Sequence, residues 1–269
     1  MLGRTMERAL TGALAGKAAL VTGGTRGLGL MLARTLADAG CAVAVIGRDP
    51  QAGASAFDHL QARGGPVCAL SADVTDEQAM KAAAAEAEAR LGPLDITVCA
   101  AGVSSPRAPI WTNSADTYRH CFDTNVLGVL NSLTATLPGM VARGGGKVIV
   151  IGGTYGHKGV AGFSVYAASK WALRGLVRSA ALDAAPHGVT INMISPGGVD
   201  GERLRRLFRQ SAAANGEPED APLKRFTAGT ALGRLVGEDD VAAAMLHLLG
   251  PGGRMMTGQD IVVDAGMVV

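Results

Sequence analysis

Tyr166 and Lys170 stand four residues apart in "VYAASKWALRGLVRSAALDAA" (165–185). On a helix that spacing puts a phenol and an ammonium on one face. A free tyrosine, with a pKa of about 10, is a poor base near neutrality. An ammonium at roughly 4 Å favours the phenolate by about 4 kcal/mol at an effective dielectric near 20, an upper limit of about three pKa units. The pair therefore reads as a proton-transfer site working as general acid and base. Upstream, "GGTYGHKG" (152–159) offers Thr154 as its aliphatic hydroxyl, with His157 and Lys158 on the same loop.

A second stretch points to a nucleotide. "TGGTRGLG" runs from Thr22 to Gly29 between an apolar run and a helical pattern. Glycines at 23, 27 and 29 let the backbone turn tightly and approach a pyrophosphate, which the following helix N-terminus stabilises. Taken alone, such a turn also serves as a plain strand–helix connection.

Elements positioning these residues follow from periodicity. Strands are expected at 18–24, 41–47, 67–73, 94–102, 146–153, 189–198 and 258–266. Helices are expected at 28–40, 51–63, 76–92, roughly 114–142 with a break before "DTNVLGVL", and 165–185. The strands are continuously apolar and alternate with helices, the pattern of a parallel sheet covered on both faces. No Pro- or Ser-rich linker divides the chain. Residues 1–15 read as an arm and 16–269 as one domain.

Composition sets bounds. The 269 residues, 48% hydrophobic with 38 glycines, suffice for a sizeable core. A net charge of +2 gives no footprint for nucleic acid or a membrane surface. Cys41, Cys68, Cys99 and Cys121 form no CxxC pair and no metal spacing, so they read as reduced thiols of a cytoplasmic protein that binds no metal. The N-terminus lacks the apolar core of a signal peptide, and no apolar run of about 18 residues predicts a membrane span.

TGxxxGxG at 22–29, "CAAG" at 99–102, YxxxK at 166–170 and "SPGG" at 195–198, in this order, resemble the short-chain dehydrogenase/reductase family across about residues 17–266. The resemblance implies a Rossmann fold with strand order 3-2-1-4-5-6-7, a nicotinamide cofactor, a small alcohol or ketone substrate and a homotetramer. It assigns Gly23, Thr25, Arg26, Gly27, Leu28 and Gly29 to the cofactor. Arg48, Asp73, Val74, Ala100, Ala101, Gly102, Pro196, Gly197 and Val199 join them, together with Asn125, Tyr166 and Lys170. Lys170 also holds the nicotinamide ribose, and Asn125 holds a water leading from the lysine to solvent.

An NAD site carries an acid at the end of the second strand, for the ribose 2′-OH. Here that place is Gly47, followed by Arg48, with Arg26 in the glycine turn. Guanidinium groups match the 2′-phosphate of NADP, so NADP is expected over NAD. Both arginines also fit plain solvated charges, and Asp73 also fits a turn-starting residue.

Two departures from the family pattern stand out. Its catalytic serine lies thirteen residues before the tyrosine, where this chain has Gly153, and "CAAG" replaces "NNAG". Thr154 is one residue late and would face away on a straight strand. If the chain bends there, Thr154 or Tyr155 is the candidate to reach the carbonyl, and Thr154 is the expected polariser. His157 and Lys158 either bind an acidic substrate group or are solvated. Residues 199–232 occupy the place of a substrate lid. Their six basic residues either favour anionic substrates or are solvated, with Glu202 pairing Arg206. The expected activity is interconversion of a secondary alcohol and a ketone. The alternatives are a 3-oxoacyl reductase, or a degenerate nucleotide-binding member without turnover.

Overall fold

The computed structural model describes residues 14–269. Seven parallel strands lie in the order β3-β2-β1-β4-β5-β6-β7, the expected doubly wound arrangement. They are β1 (Ala18–Thr22), β2 (Ala42–Gly47), β3 (Val67–Ser71), β4 (Ile96–Cys99), β5 (Gly146–Ile151), β6 (Val189–Pro196) and β7 (Asp260–Val263). Among the described residues nine α-helices accompany them: α1 (Gly27–Asp38), α2 (Pro50–Gln61), α3 (Glu77–Leu91), α4 (Ala115–Phe122), α5 (Gly128–Arg143), α6 (Ser164–Ala184), α7 (Glu202–Asn215), α8 (Ala221–Thr227) and α9 (Glu238–Leu249).

The period-two alternation of side chains sorts each buried strand onto two apolar faces. Val21, Val45 and Val98 pack with Leu32 and Leu36 of α1 and with Val241 and Met245 of α9. On the other face Leu20 and Ile46 meet Met80 and Ala84 of α3, while Val148 and Val150 meet Leu173 and Val177 of α6. Local chemistry starts the helices. The Asp49 carboxylate caps α2, with Pro50 in its first turn, and Asp76 caps α3 by accepting from the Gln78 and Ala79 amides.

Several boundaries differ from the expectations. Strands 18–24 and 94–102 stop at Thr22 and Cys99, because the chain leaves the sheet to form the turns that carry function. The break expected near "DTNVLGVL" is a π turn, Asp123–Leu127, joining α4 to α5. The continuous stretch Ala115–Arg143 contains an 18-residue window apolar enough by composition to cross a membrane. Here it buries Asn125, Asn131, Ser132 and Thr136 inside the protein. Most of the expected arm lies outside the described residues. Leu14, which does not, is buried, and its amide donates to Ala39 O at 2.9 Å.

Candidate active site

Sequence-separated groups converge at the carboxyl ends of the strands, where open α/β sheets bind ligands. The turn after β1 fits a pyrophosphate. Gly23 has φ +65°, and a Cβ there would lie 2.7 Å from the Ala101 backbone. Gly27 has φ +54° and open space above it, as a backbone presented to a ligand requires. Arg26 caps α1 without a side-chain bond, and the first turn holds no acid, so the free amides of Leu28 and its neighbours face outward.

At the end of β2 a Cβ on Gly47 would stand 2.5 Å from Thr25 Oγ1. The buried Thr25 thus requires glycine where an acid would read a ribose hydroxyl. Arg48 Nη1 lies 3.5 Å from Asp73 Oδ2. Burial works against the Asp73 carboxylate, but hydrogen bonds from Thr75 and the Arg48 guanidinium hold it below the usual carboxylate range. Val74 is buried, its carbonyl accepting from Asn131 Nδ2 at 2.8 Å. A cavity of about 360 Å³ lined by Gly47, Asp49, Phe57 and Arg90 lies along this edge of the sheet, and neither Tyr166 nor Lys170 lines it.

The π turn presents Asn125 to the loop after β4. Its Oδ1 accepts from Val103 N at 2.8 Å, and its Nδ2 donates to Val103 O at 2.9 Å and Ser169 Oγ at 3.0 Å. Asn125 and Lys170 both look onto Gly102, where a Cβ would be 3.3 Å from Asn125 Oδ1 and 3.8 Å from Lys170 Nζ. Ala100 and Ala101 continue this backbone, and Cys99 beneath them is an inert thiol pushed up to about 12 by burial.

Tyr166 and Lys170 share one face of α6. Lys170 is 5% exposed, its Nζ donates to Ile151 O at 3.1 Å and lies 5.7 Å from the Tyr166 ring centroid. Tyr166 is half-buried. The electrostatics differ from the sequence expectation. Burial pushes the phenol up to about 12, against the pull of the Arg203 guanidinium, and burial brings Lys170 down to about 8. Desolvation is the largest cause of both shifts.

Gly153 occupies the position beside the phenol. A Cβ there would meet Tyr166 Oη at 3.7 Å, Lys170 Cε at 3.9 Å and Pro196 O at 4.0 Å, all ordinary contacts. The chain does bend after β5, into a 3₁₀ turn over Thr154–Gly156. That bend turns Thr154, the expected polariser, towards β6. Its buried hydroxyl donates to Pro196 O at 2.8 Å. Tyr155 instead packs edge-on to Tyr166, with ring centroids 5.9 Å apart, and burial raises its phenol above the ordinary value.

His157 and Lys158 do not point to a substrate. His157 Nε2 lies 2.8 Å from Asp260 Oδ2, and Lys158 Nζ donates to Met267 O at 3.0 Å. Arg174 Nε approaches the same Asp260 oxygen at 3.4 Å, and Asp260 Oδ1 accepts from Ser195 Oγ at 2.7 Å. Ser195 Oγ in turn accepts from Gly153 N at 3.3 Å. The sequence reading missed this buried cluster. Its one signal is an acid opening the apolar last strand, "DIVV".

Pro196, Gly197 and Val199 border the site from β6. Gly197 passes so close to β7 that a Cβ would lie 2.9 Å from Asp264 Cα, and Val199 bridges to Val236. In the expected lid, Glu202 pairs with Arg209 rather than Arg206, Arg205 with Asp200, Lys224 with Asp220 and Arg225 with Glu217. Among the described residues Arg203 and Arg206 have no such ion pair.

The sequence profile of short chain dehydrogenases matches residues 17–212. The protein belongs to the short-chain dehydrogenase family. As a member it is an oxidoreductase built to bind a nicotinamide nucleotide. The dehydrogenase is 33% identical to diacetyl reductase [(S)-acetoin forming] of Staphylococcus aureus over 252 residues, covering 93% of this chain and 97% of the relative. Its fold superimposes on an actinorhodin polyketide ketoreductase solved with NADPH, with a TM-score of 0.88, 29% identity and coverage of 93% and 97%. It also matches an NAD⁺-bound xylitol dehydrogenase, with a TM-score of 0.89, 26% identity and coverage of 94% and 99%.

Proposed function

We propose that this dehydrogenase uses NADP(H) to interconvert a secondary alcohol and a ketone, with Tyr166 transferring the proton. The carrying observation is the Tyr166–Lys170 pair on one face of α6, both groups withdrawn from water beside the glycine turn and the Gly102 backbone. The names diacetyl reductase, xylitol dehydrogenase and ketoreductase all denote exchange between a carbonyl and an alcohol, which supports this reaction class.

Gly23, Thr25, Arg26, Gly27, Leu28 and Gly29 would hold the pyrophosphate, Asp73 and Val74 the adenine side, and Ala100, Ala101, Gly102, Pro196, Gly197 and Val199 the nicotinamide side. The choice of NADP rests on Arg26 and Arg48 and on the exclusion of an acid at Gly47 by Thr25. When bound, the nicotinamide supplies or accepts hydride. The chain's own groups handle the proton. At neutral pH the Tyr166 phenol is protonated, the form that donates to the oxygen of a ketone being reduced. Lys170, still mostly an ammonium there, steadies the negative charge that follows if Tyr166 gives up its proton. Asn125 braces the loop at Val103 and, through Ser169, the helix carrying Tyr166.

Absorbance at 340 nm across ketones, 3-oxoacyl thioesters and alcohols, with NADPH and NADH, tests the reading. Turnover with simple ketones or alcohols is expected, and it is abolished in Tyr166→Phe with NADPH binding retained. Turnover confined to 3-oxoacyl thioesters would make the protein a 3-oxoacyl reductase. NADPH binding without any turnover would make it a nucleotide-binding protein only.

We also infer a homotetramer. Its support is the exposed apolar Trp171 and Leu182 on α6 and Met255 and Val262 near β7. A monomer in sedimentation at micromolar concentration refutes it. The four buried free thiols support a cytoplasmic setting, which cell fractionation tests.

A further inference from the structure

We infer that the second hydrogen-bond donor to the reacting oxygen is a hydroxyl brought by the substrate, so that Gly153 selects α-hydroxy ketones and the vicinal diols formed from them. The inference rests on the proposed role of Tyr166 as proton donor and deepens it.

Carbonyl reduction builds negative charge on oxygen, and each donor aimed at that charge is worth about 10²–10³ in rate. Tyr166 is one such donor. Several of the groups around it that would supply another are committed elsewhere, and the Tyr155 phenol is tested by its own variant. The Thr154 hydroxyl donates to Pro196 O, Ser195 Oγ to Asp260 Oδ1, and Ser169 Oγ to Tyr166 O. The Gly153 amide donates to Ser195 Oγ, the Gly156 amide to Gly153 O and the His157 amide to Thr154 O. His157 Nε2 lies 2.8 Å from Asp260 Oδ2, out of hydrogen-bond alignment but held beside that carboxylate.

What the site has instead is room. At Gly153 a Cβ would still be 3.7 Å from Tyr166 Oη. An oxygen carried on the carbon next to the reacting carbonyl fits that room beside the phenol. Its hydrogen can be shared with the oxygen on which charge develops. As hydride reaches the carbonyl carbon, the π electron pair moves to oxygen and the Tyr166 proton follows it. The neighbouring hydroxyl keeps its own proton and contributes only the hydrogen bond. Pro196 O, 4.0 Å from the Cβ position, is a further acceptor for a polyol hydroxyl in the same space.

The test compares kcat/KM for 3-hydroxy-2-butanone and 2-butanone, with NADPH, in wild type, Gly153→Ser, Gly153→Ala and Tyr155→Phe, each checked for folding by circular dichroism. The wild type should prefer the hydroxy ketone about 100-fold. Gly153→Ser supplies the donor from the protein. It should raise 2-butanone turnover at least about tenfold and collapse the preference, a change of ratio that cancels the ketones' intrinsic reactivities. Gly153→Ala fills the room without a donor and should lower the hydroxy ketone selectively. Equal wild-type rates, or a ratio untouched by both Gly153 variants, overturns the inference and leaves the proposed function standing. A large, equal loss for both ketones in Tyr155→Phe also overturns it, by giving the donor role to that phenol. No turnover of any ketone refutes the proposed function, and the inference with it.

Discussion

Gly47 is the position where steric and cofactor arguments meet, and Gly47→Ala tests both. Its new methyl would stand 2.5 Å from Thr25 Oγ1 and 2.7 Å from Thr25 Cγ2. Thr25 is buried and β-branched, so it has little rotamer freedom with which to give way. Overpacking of this kind costs about 1–3 kcal/mol. For a chain of this size that is a fall in Tm of roughly 2–10 °C. In Thr25→Ala the two closest threonine atoms are gone and only Cβ remains, 3.2 Å away. The double variant should therefore recover part of the loss, with a coupling of about 0.5–3 kcal/mol in a double-mutant cycle. The assay is thermal and urea unfolding of the four proteins, with NADPH and NADH titrations alongside. Gly47→Asp alone should not yield an NADH enzyme, because its carboxylate cannot be seated over Thr25. A Gly47→Ala protein melting within about 1 °C of wild type would refute the steric argument.

Three further outcomes follow from the geometry. Among the described residues Arg48 is tied only to Asp73, across a half-exposed 3.5 Å contact worth about 0–1 kcal/mol, so a phosphate recruits it at little cost. Arg48→Ala should weaken NADPH binding about tenfold and leave NADH unchanged in a fluorescence titration, and equal effects on both would exclude a phosphate contact. Thr154→Val removes the donor to Pro196 O and should lower stability by about 1 kcal/mol while leaving kcat near wild type. A kcat loss of about tenfold or more with unchanged stability would restore Thr154 as the polariser. Lys170, lowered by burial from 10.5 to about 8, sets a pH dependence in the cofactor-free protein. Between those values the unfolded chain holds a proton the folded chain has lost, so the lysine's own contribution rises with pH, by roughly 2 kcal/mol at pH 9.5, while the buried thiols of Cys41 and Cys99, raised from 9.0 to about 12, pull the other way. The difference in unfolding free energy between wild type and Lys170→Met should therefore grow from pH 7.5 to 9.5, and a difference that stays flat or falls would contradict this.

The parts that were legible are those that local rules determine. Continuous apolar runs such as "AVAVIG" have one home, a strand buried on both faces, and a four-residue spacing puts Tyr166 and Lys170 together on any helix. The glycine turn announced itself through positions that reject a Cβ. What escaped depends on contacts distant in sequence. Thr154 turns to Pro196, 42 residues away, and His157 to Asp260, which no period connects. The rise of the Tyr166 pKa was misjudged because charge spacing is visible in a sequence while desolvation is not. Glu202 chose Arg209 over Arg206 because seven residues make two helical turns as surely as four make one.

The segment after residue 258 fastens the strand end and the loop that flank the Tyr166–Lys170 pair. Asp260 accepts from Ser195 and stands beside His157, Val263 O receives the Gly197 amide, and Met267 O receives Lys158. During synthesis, then, the acid and its lysine exist long before the site does. About a hundred residues separate Lys170 from Met267, an interval of roughly 5–20 s at ordinary translation rates. For that time the ribosome carries a chain with reactive groups and no fixed place to use them. Assembly of the site thus marks the completion of the fold, and recovery of activity on refolding reports the docking of the last strand instead of the first collapse.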